Sequence, residues 1–138
     1  MKTKLSLLIL TLFLLFSCAT SKTAEDEKLK TKLIGTWSGS EANNQKVGIT
    51  KHWIQIRNKS GTYILLYTAI ENCEVSTFVE KGKWWVKDGL FYEVYEGKGK
   101  ADVYAVEVLD GDNLKFKAKE ISVDMDNKEY EFFETREE

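Results

Sequence analysis

The stretch Asn113–Glu120, NLKFKAKE, alternates apolar and charged side chains with a period of two. Leu114, Phe116 and Ala118 occupy every second position, and a lysine follows each of them. Successive side chains of a β-strand point to opposite faces of the sheet, so this pattern is typical of a strand with one face in a core and the other in water. The stretch therefore predicts a half-buried strand.

The same period recurs on both sides of this stretch, with turn signals such as Asp88-Gly89 and Asp110-Gly111 between the runs. The runs are Val47–Arg57, 61–70, 73–87 with a break near Lys81-Gly82, 90–109 as two strands around Gly97-Lys98-Gly99, 113–120 and Tyr130–Arg136. Together they predict eight or nine strands, each of about 6–10 residues.

The connections between the runs are short, and the chain has no proline to interrupt a strand. Apart from a short helix expected at Glu25–Leu33, no segment is long enough to form the crossover that parallel strands need. We therefore predict an all-β fold, an antiparallel up-and-down barrel of about eight strands with a short N-terminal helix. A barrel of this size encloses side chains or one small ligand.

The first 17 residues have the composition of a signal peptide. Lys2 and Lys4 precede the apolar stretch Leu5–Phe16, which is shorter than the roughly 20 residues of a membrane-spanning helix. Leu15-Phe16-Ser17-Cys18 resembles the lipobox of bacterial lipoproteins. The resemblance implies cleavage before Cys18 and attachment of diacylglycerol to its thiol. The alternative is an ordinary secretory signal with an incidental cysteine.

In the lipoprotein interpretation, residues 1–17 are the signal peptide, 18–27 a polar lipidated tether and 28–138 the barrel domain. Ala19 is not an acidic residue that would retain the protein at the inner membrane, so the resemblance implies an outer-membrane anchor in a bacterial cell envelope. Cys73 is then unpaired, as either a buried small hydrophobe or a free thiol, and its position in a strand-like run favours burial.

The charge balance points away from nucleic acid. The chain has 20 basic and 22 acidic residues, and loss of Lys2 and Lys4 makes it more acidic. No basic stripe of the kind that binds nucleic acid is present in the sequence. We expect a monomer that is held at the membrane through Cys18.

Leu33-Ile34-Gly35-Thr36-Trp37 follows the predicted helix, and an Asp88-Gly89 hairpin, a Leu109-Asp110-Gly111 turn and a last strand Phe132–Arg136 come after it in order. This series, over about residues 28–136, resembles bacterial lipocalin-like lipoproteins of the calycin superfamily. The resemblance implies that Trp37 plugs the base of the barrel and that Arg136 packs over its ring. It also implies that Gly35 lets the first strand turn into the base.

Catalytic and metal-binding patterns are lacking in the sequence. His52 is the one histidine, and it has no partners at metal-ligand spacing. Gly97–Lys100 lacks the following helix that would hold a phosphate. Glu93 and Glu96 are expected to face solvent. We therefore expect no enzyme activity, no cofactor and no metal.

Aromatic residues are the candidates for binding. We predict that Tyr63, Tyr67, Trp84, Tyr92 and Tyr104, together with Tyr95, line a pocket inside the barrel. The alternative is that the tyrosines are core residues with satisfied hydroxyl groups, because a small barrel rich in aromatic residues can fill its own interior.

Trp84 and Trp85 are adjacent, so they point to opposite faces of their strand. If Trp84 faces inward, Trp85 stands outside between Lys83 and Lys87, where it is a candidate contact for a protein partner. The alternative is that Trp85 lies under a loop or the N-terminal helix.

Two functions are expected from these features. The first is binding of a small apolar or amphipathic molecule, as the lipocalin resemblance implies. The second is a non-enzymatic protein-interaction module of the cell envelope, for example an inhibitor, that uses its outer surface and loops. Ser60-Gly61-Thr62-Tyr63 is similar to a loop of periplasmic lysozyme inhibitors, although one residue of that loop and the family's disulfide are missing.

Overall fold

The structure, a computed structural model, describes residues 22–138, so the predicted signal peptide and Cys18 lie outside the described residues. Helix α1 spans residues 22–33 and eight strands follow it. The strands are β1 Gly35–Ala42, β2 Ile49–Arg57, β3 Thr62–Glu71, β4 Glu74–Lys87, β5 Leu90–Tyr95, β6 Asp102–Val108, β7 Asn113–Glu120 and β8 Glu131–Arg136. Each strand is antiparallel to the next and β8 returns to β1, which confirms the predicted closed up-and-down barrel.

Helix α1 covers one end of the barrel, which we call the closed end. Leu33 is fully buried in the core, and Leu29 packs against the same cluster. The Asp26 carboxylate accepts hydrogen bonds from the backbone N–H groups of Asp88 and Gly89, at 2.9 and 2.7 Å. These bonds tie the helix to the β4–β5 turn at the closed end.

The described part of α1 is longer than the predicted Glu25–Leu33, because it begins at residue 22, inside the predicted tether. Lys22 lies 3.6 Å from the Asp88 carboxylate. The additional residues of the helix contact the loop between β4 and β5. Local sequence does not reveal such a contact.

The barrel closes where Trp37 of β1 pairs with Arg136 of β8. The Arg136 guanidinium lies 4.1 Å from the Trp37 ring centroid and donates hydrogen bonds of 3.0 Å to the carbonyls of Ile34 and Lys32. The Trp37 indole N–H donates to the Leu33 carbonyl at 3.0 Å. The predicted contact between Trp37 and Arg136 is therefore present, and it also holds the end of α1.

Gly35 stands between the helix and β1 with φ +135°, in the region that favours glycine. A Cβ atom at this position would lie 2.4 Å from Nη1 of Arg136. A side chain at residue 35 would therefore displace the guanidinium that closes the barrel.

Packed aromatic rings fill the closed half of the barrel interior. Phe116 lies 5.5 Å from Phe91 and stacks on Phe132 at 4.8 Å, measured between ring centroids. Trp84 faces inward, is buried and lies beside Phe91. The aromatic residues thus fill one half of the barrel, so the alternative of a self-filled interior applies to that half.

The predicted break near Lys81-Gly82 was wrong, because β4 runs without interruption from Glu74 to Lys87. A Cβ atom at Gly82 would lie 2.1 Å from the Val94 carbonyl oxygen and 2.6 Å from the Tyr63 ring. Glycine is needed here for close approach of neighbouring groups, and the strand continues past it.

The predicted burial of Cys73 was also wrong. Glu71 pairs with Glu74, so Asn72 and Cys73 form the two-residue turn between β3 and β4, with φ +50° and +66°. Cys73 is an exposed free thiol. We expected the next strand to begin at Cys73, whereas β4 begins at Glu74.

Replacing Arg136 with alanine should lower the free energy of unfolding by about 2 kcal/mol, because two charge-assisted hydrogen bonds and a cation–π contact are lost. Urea denaturation measures this change. Lys83→Ala removes an exposed cation from β4 and should change stability by less than about 0.5 kcal/mol. Equal effects of the two substitutions would refute the proposed role of Arg136.

Candidate functional site

The end of the barrel opposite α1 is open and leads into a cavity of about 220 Å³, which we call the open-end cavity. Residues from the β1–β2, β5–β6 and β7–β8 loops line its mouth, including Gln45, Lys98 and Val123. Seven aromatic residues line its wall: Trp53, Tyr63, Tyr67, Tyr95, Tyr104, Tyr130 and Phe132. The cavity is therefore large enough to hold a small molecule among aromatic rings.

A buried ion pair separates this cavity from the packed half of the barrel. Nη2 of Arg57 lies 2.7 Å from Oε2 of Glu134, and both side chains are almost fully buried. The guanidinium carbon lies 5.0 Å from the Phe91 ring centroid and 5.1 Å from that of Phe116. Glu134 lines the cavity and Arg57 does not, so the cavity floor presents carboxylate.

Glu93 stands next to this floor, on the inner face of β5. Its carboxylate accepts a hydrogen bond of 2.8 Å from Gln55, whose carbonyl oxygen accepts one of 2.5 Å from Arg57. Loss of water around Glu93 inside the barrel raises its pKa to about 7, although Arg57 and the Gln55 hydrogen bond act in the opposite direction. The expectation that Glu93 faces solvent was therefore wrong, whereas Glu96 is exposed.

The mouth of the cavity carries charges of both signs. Lys51 bonds to the side chain of Gln45 and lies 3.8 Å from the Glu41 carboxylate. Burial raises the pKa of Glu80, while Lys98 lowers it. A ligand entering the barrel therefore passes charged groups before it reaches the aromatic wall.

The inward-facing tyrosines act as neutral phenols. Burial raises the pKa of Tyr63, Tyr104 and Tyr130, and nearby carboxylates, Glu93 among them, raise it further. Each phenol keeps its proton at neutral pH and presents a polarised ring and a hydroxyl group to the cavity.

The structure brings together only part of the predicted binding set. Tyr63, Tyr67, Tyr95 and Tyr104 line the cavity, as expected. Trp84 instead lies at the closed end, where its indole N–H lies 3.2 and 3.1 Å from the carbonyls of Asn58 and Thr62.

Tyr92 lies on the outer face, stacked on Trp85 with 5.3 Å between ring centroids. Trp85 itself is 36% exposed, in the outward position considered for a partner contact. His52 is exposed on the outer face of β2.

Sequence reasoning missed the polar members of the site: Gln55, Glu80, Glu93, Tyr130 and Glu134. The inward direction of such residues could be predicted from the period of two along their strands. Glu93 lies two residues after Phe91 and two before Tyr95, on the same face. We expected Glu93 to face solvent because it is charged, whereas the period of two along the strand places it in the interior.

Among residues 22–138, no group of three or more His, Cys, Asp or Glu side chains is arranged to hold a metal ion. The helix that the structure describes is too short and too polar to cross a membrane. No protein-family model matches the sequence, and no curated protein matches it.

Glu93→Gln should remove a pH dependence from folding. An unfolded glutamate has a pKa near 4.3, so between about pH 4.5 and pH 7 the folded state retains a proton that the unfolded state has lost. Folding stability therefore falls as pH rises through this window. We expect the free energy of unfolding of the variant to exceed that of the unsubstituted protein by about 3 kcal/mol at pH 8, and this difference to shrink towards zero at pH 4.5.

Urea denaturation across this pH range measures the difference. Glu107→Gln changes an exposed carboxylate on β6 and should show no such trend. A constant difference between Glu93→Gln and the unsubstituted protein from pH 4.5 to 8 would contradict the expected titration of Glu93.

Proposed function

We propose that this protein is a lipid-anchored, non-enzymatic barrel of the cell envelope that binds a small amphipathic molecule in the open-end cavity. The observation that carries the proposal is a wall of aromatic rings next to a floor of carboxylates. Aromatic rings accept the apolar part of a ligand by burying its surface, and polar groups fix its orientation.

The polar lining favours an amphipathic ligand over a purely apolar one. Glu93 stands beside the floor and accepts a side-chain hydrogen bond from Gln55, so a hydrocarbon filling the cavity would cover its remaining acceptor positions without supplying a donor. Covering a polar group without a hydrogen bond costs about 1–3 kcal/mol on a scale derived from protein substitutions. A ligand with a polar end avoids this cost.

The proposed anchor fits the position of α1. Cys18 precedes Lys22 by four residues, and four residues reach about 14 Å at most. Lys22 contacts Asp88 at the closed end of the barrel. With acyl chains on Cys18, the closed end lies nearest the outer membrane and the cavity mouth opens towards the aqueous side, so the ligand arrives from water.

The proposed relation to lipocalin-like lipoproteins is supported by the contact of Arg136 with Trp37 and by the placement of Gly35 beside them. That relation implies ligand binding without catalysis. The cavity proposal rests on its own lining residues and does not depend on the family.

Two adjacent residues of β3 point to opposite sides of the barrel wall. Leu65 lines the cavity and Leu66 faces solvent. We expect native mass spectrometry of the full chain, extracted from its own envelope in mild detergent, to show a bound mass other than detergent that leaves on denaturation. Leu65→Trp should lose this mass because indole occupies the cavity, and Leu66→Trp should keep it.

The polypeptide mass in the same spectra reports cleavage before Cys18 and the attached acyl chains. Unchanged thermal unfolding midpoints of both variants, within about 5 °C, show that they fold. A bare protein in the unsubstituted preparation, or equal loss of the bound mass in both variants, would contradict the proposed cavity function.

A second candidate function is recognition of an extended segment of another envelope protein. Residues 74–80 of β4 extend past the end of β5, because Tyr95 pairs with Gly82, and this leaves an unpaired strand edge. The outer face beside it carries five apolar residues that are 39–61% exposed: Ile54, Ile56, Ile64, Leu66 and Val79. An open edge next to an apolar face suits addition of one strand.

A photo-crosslinking residue at Val79 should give one discrete protein adduct in intact cells, mapped by peptide sequencing to an extended segment of the partner. The same residue at Glu107, exposed on β6 two strands away and towards the closed end, should give none. The absence of an adduct at Val79, or adducts of similar pattern at both sites, would remove this candidate.

A further inference from the structure

We propose that the ligand of the open-end cavity is a protonated amine attached to an apolar or aromatic group, with Glu93 as its counter-ion. This inference rests on the proposed cavity function and names the chemical class of its ligand. It follows from the way in which positive and negative groups around the cavity are paired.

The cations near the cavity are already engaged by other groups. Arg57 pairs with Glu134 at 2.7 Å, and Lys51 lies 3.8 Å from Glu41. Lys98, at the mouth, donates to the Ser122 hydroxyl at 3.3 Å. These contacts leave no lysine or arginine within 4 Å of the Glu93 carboxylate among the described residues, where its hydrogen bond comes from the neutral amide of Gln55.

Glu93 is the carboxylate that a cationic ligand can neutralise. A carboxylate inside a barrel is stabilised by an opposite charge and by hydrogen bonds, and one bond from Gln55 leaves most of its acceptor capacity unused. An ammonium group supplies a positive charge and up to three N–H donors at once. The interaction is strong because the barrel excludes most of the surrounding water.

The walls around Glu93 also suit a cation. Tyr63, Tyr104 and Tyr130 stay neutral under the influence of burial and nearby carboxylates, so their ring faces remain electron-rich. A cation within about 6 Å of such a face gains about 0.5–2 kcal/mol. The same rings bury the apolar part of the ligand.

An anionic ligand meets the wrong charges. Four carboxylates line the cavity against two lysines, Lys51 and Lys98, which stand at its mouth. The carboxylates are those of Glu80, Glu93, Asp102 and Glu134, and Arg57 lies behind the floor. Burial raises the pKa of Glu80 and the charge of Asp102 adds to this, whereas Lys98 and Lys51 at the mouth lower it. A carboxylate or phosphate in this position adds repulsion to the same wall.

Three probes of similar size and different charge test the inference: 2-phenylethylamine, 2-phenylethanol and phenylacetate. Isothermal titration calorimetry uses the full chain at pH 8, against a matched detergent blank. We expect the amine to bind at least 10-fold more tightly than the alcohol, and the acid to bind more weakly than the alcohol.

Glu93→Gln keeps the shape of the side chain and removes its charge. It should weaken binding of the amine at least 10-fold, to the level of the alcohol, and change binding of the alcohol less than 2-fold. Glu107→Gln should leave all three affinities unchanged. Loss of alcohol binding in Glu93→Gln would indicate a structural role for Glu93 and would overturn its assignment as counter-ion.

The outcomes separate this inference from the function on which it rests. Equal affinities for the amine and the alcohol, or tighter binding of phenylacetate, overturn the amine and leave the cavity function standing. If none of the three probes binds, the molecule released from the native preparation decides: a basic nitrogen supports the inference and its absence overturns it. A preparation that also carries no bound molecule overturns both.

Discussion

The Arg57–Glu134 ion pair is the contact on which the internal organisation of this barrel depends. It joins β2 to β8 across the interior, with the guanidinium between the rings of Phe91 and Phe116. Removing two charges from water is costly, and the pair is favourable only because short hydrogen bonds and ring contacts replace that water. The pair therefore forms a rigid floor, with packed aromatic residues on one side and the cavity on the other.

The floor also determines the electrostatics of the cavity. Arg57 directs one Nη2 atom to both Glu134 and Gln55, and its Nε and Nη1 atoms have no hydrogen-bond partner in the described chain. Gln55 in turn directs its amide N–H to Glu93. The Arg57 guanidinium therefore pairs with Glu134 below the cavity, whereas the Glu93 carboxylate accepts its hydrogen bond from a neutral amide.

Strand alternation was sufficient to predict the barrel, because a closed meander imposes few further requirements on sequence. Leu114 and Phe116 are buried, as their period of two indicated. The same period also places Glu93 between the inward-facing Phe91 and Tyr95, yet polarity was given more weight than position. The sequence does not show which inward polar residues have partners, because Gln55 and Glu93 are 38 residues apart in the chain and meet only across the closed barrel.

Turns and close approaches were harder to predict for a related reason. Asn72 is a common turn residue, but nothing local extends the turn to Cys73. Gly82 has the sequence signature of a break although it lies within a continuous strand. In both cases the deciding contact comes from a neighbouring strand. Pairing of Glu71 with Glu74 makes the turn, and the approach of Tyr63 and the Val94 carbonyl requires the glycine.

The period of two also allows one strand to serve two surfaces independently. On β3, Leu65 faces the cavity while Ile64 and Leu66 face outward beside the open edge of β4. A side chain on one face is separated from the other face by the sheet itself, so the lining of the cavity can change without altering the outer wall. Binding of a small molecule and recognition of a protein segment are therefore compatible in the same barrel, and each depends on its own set of residues.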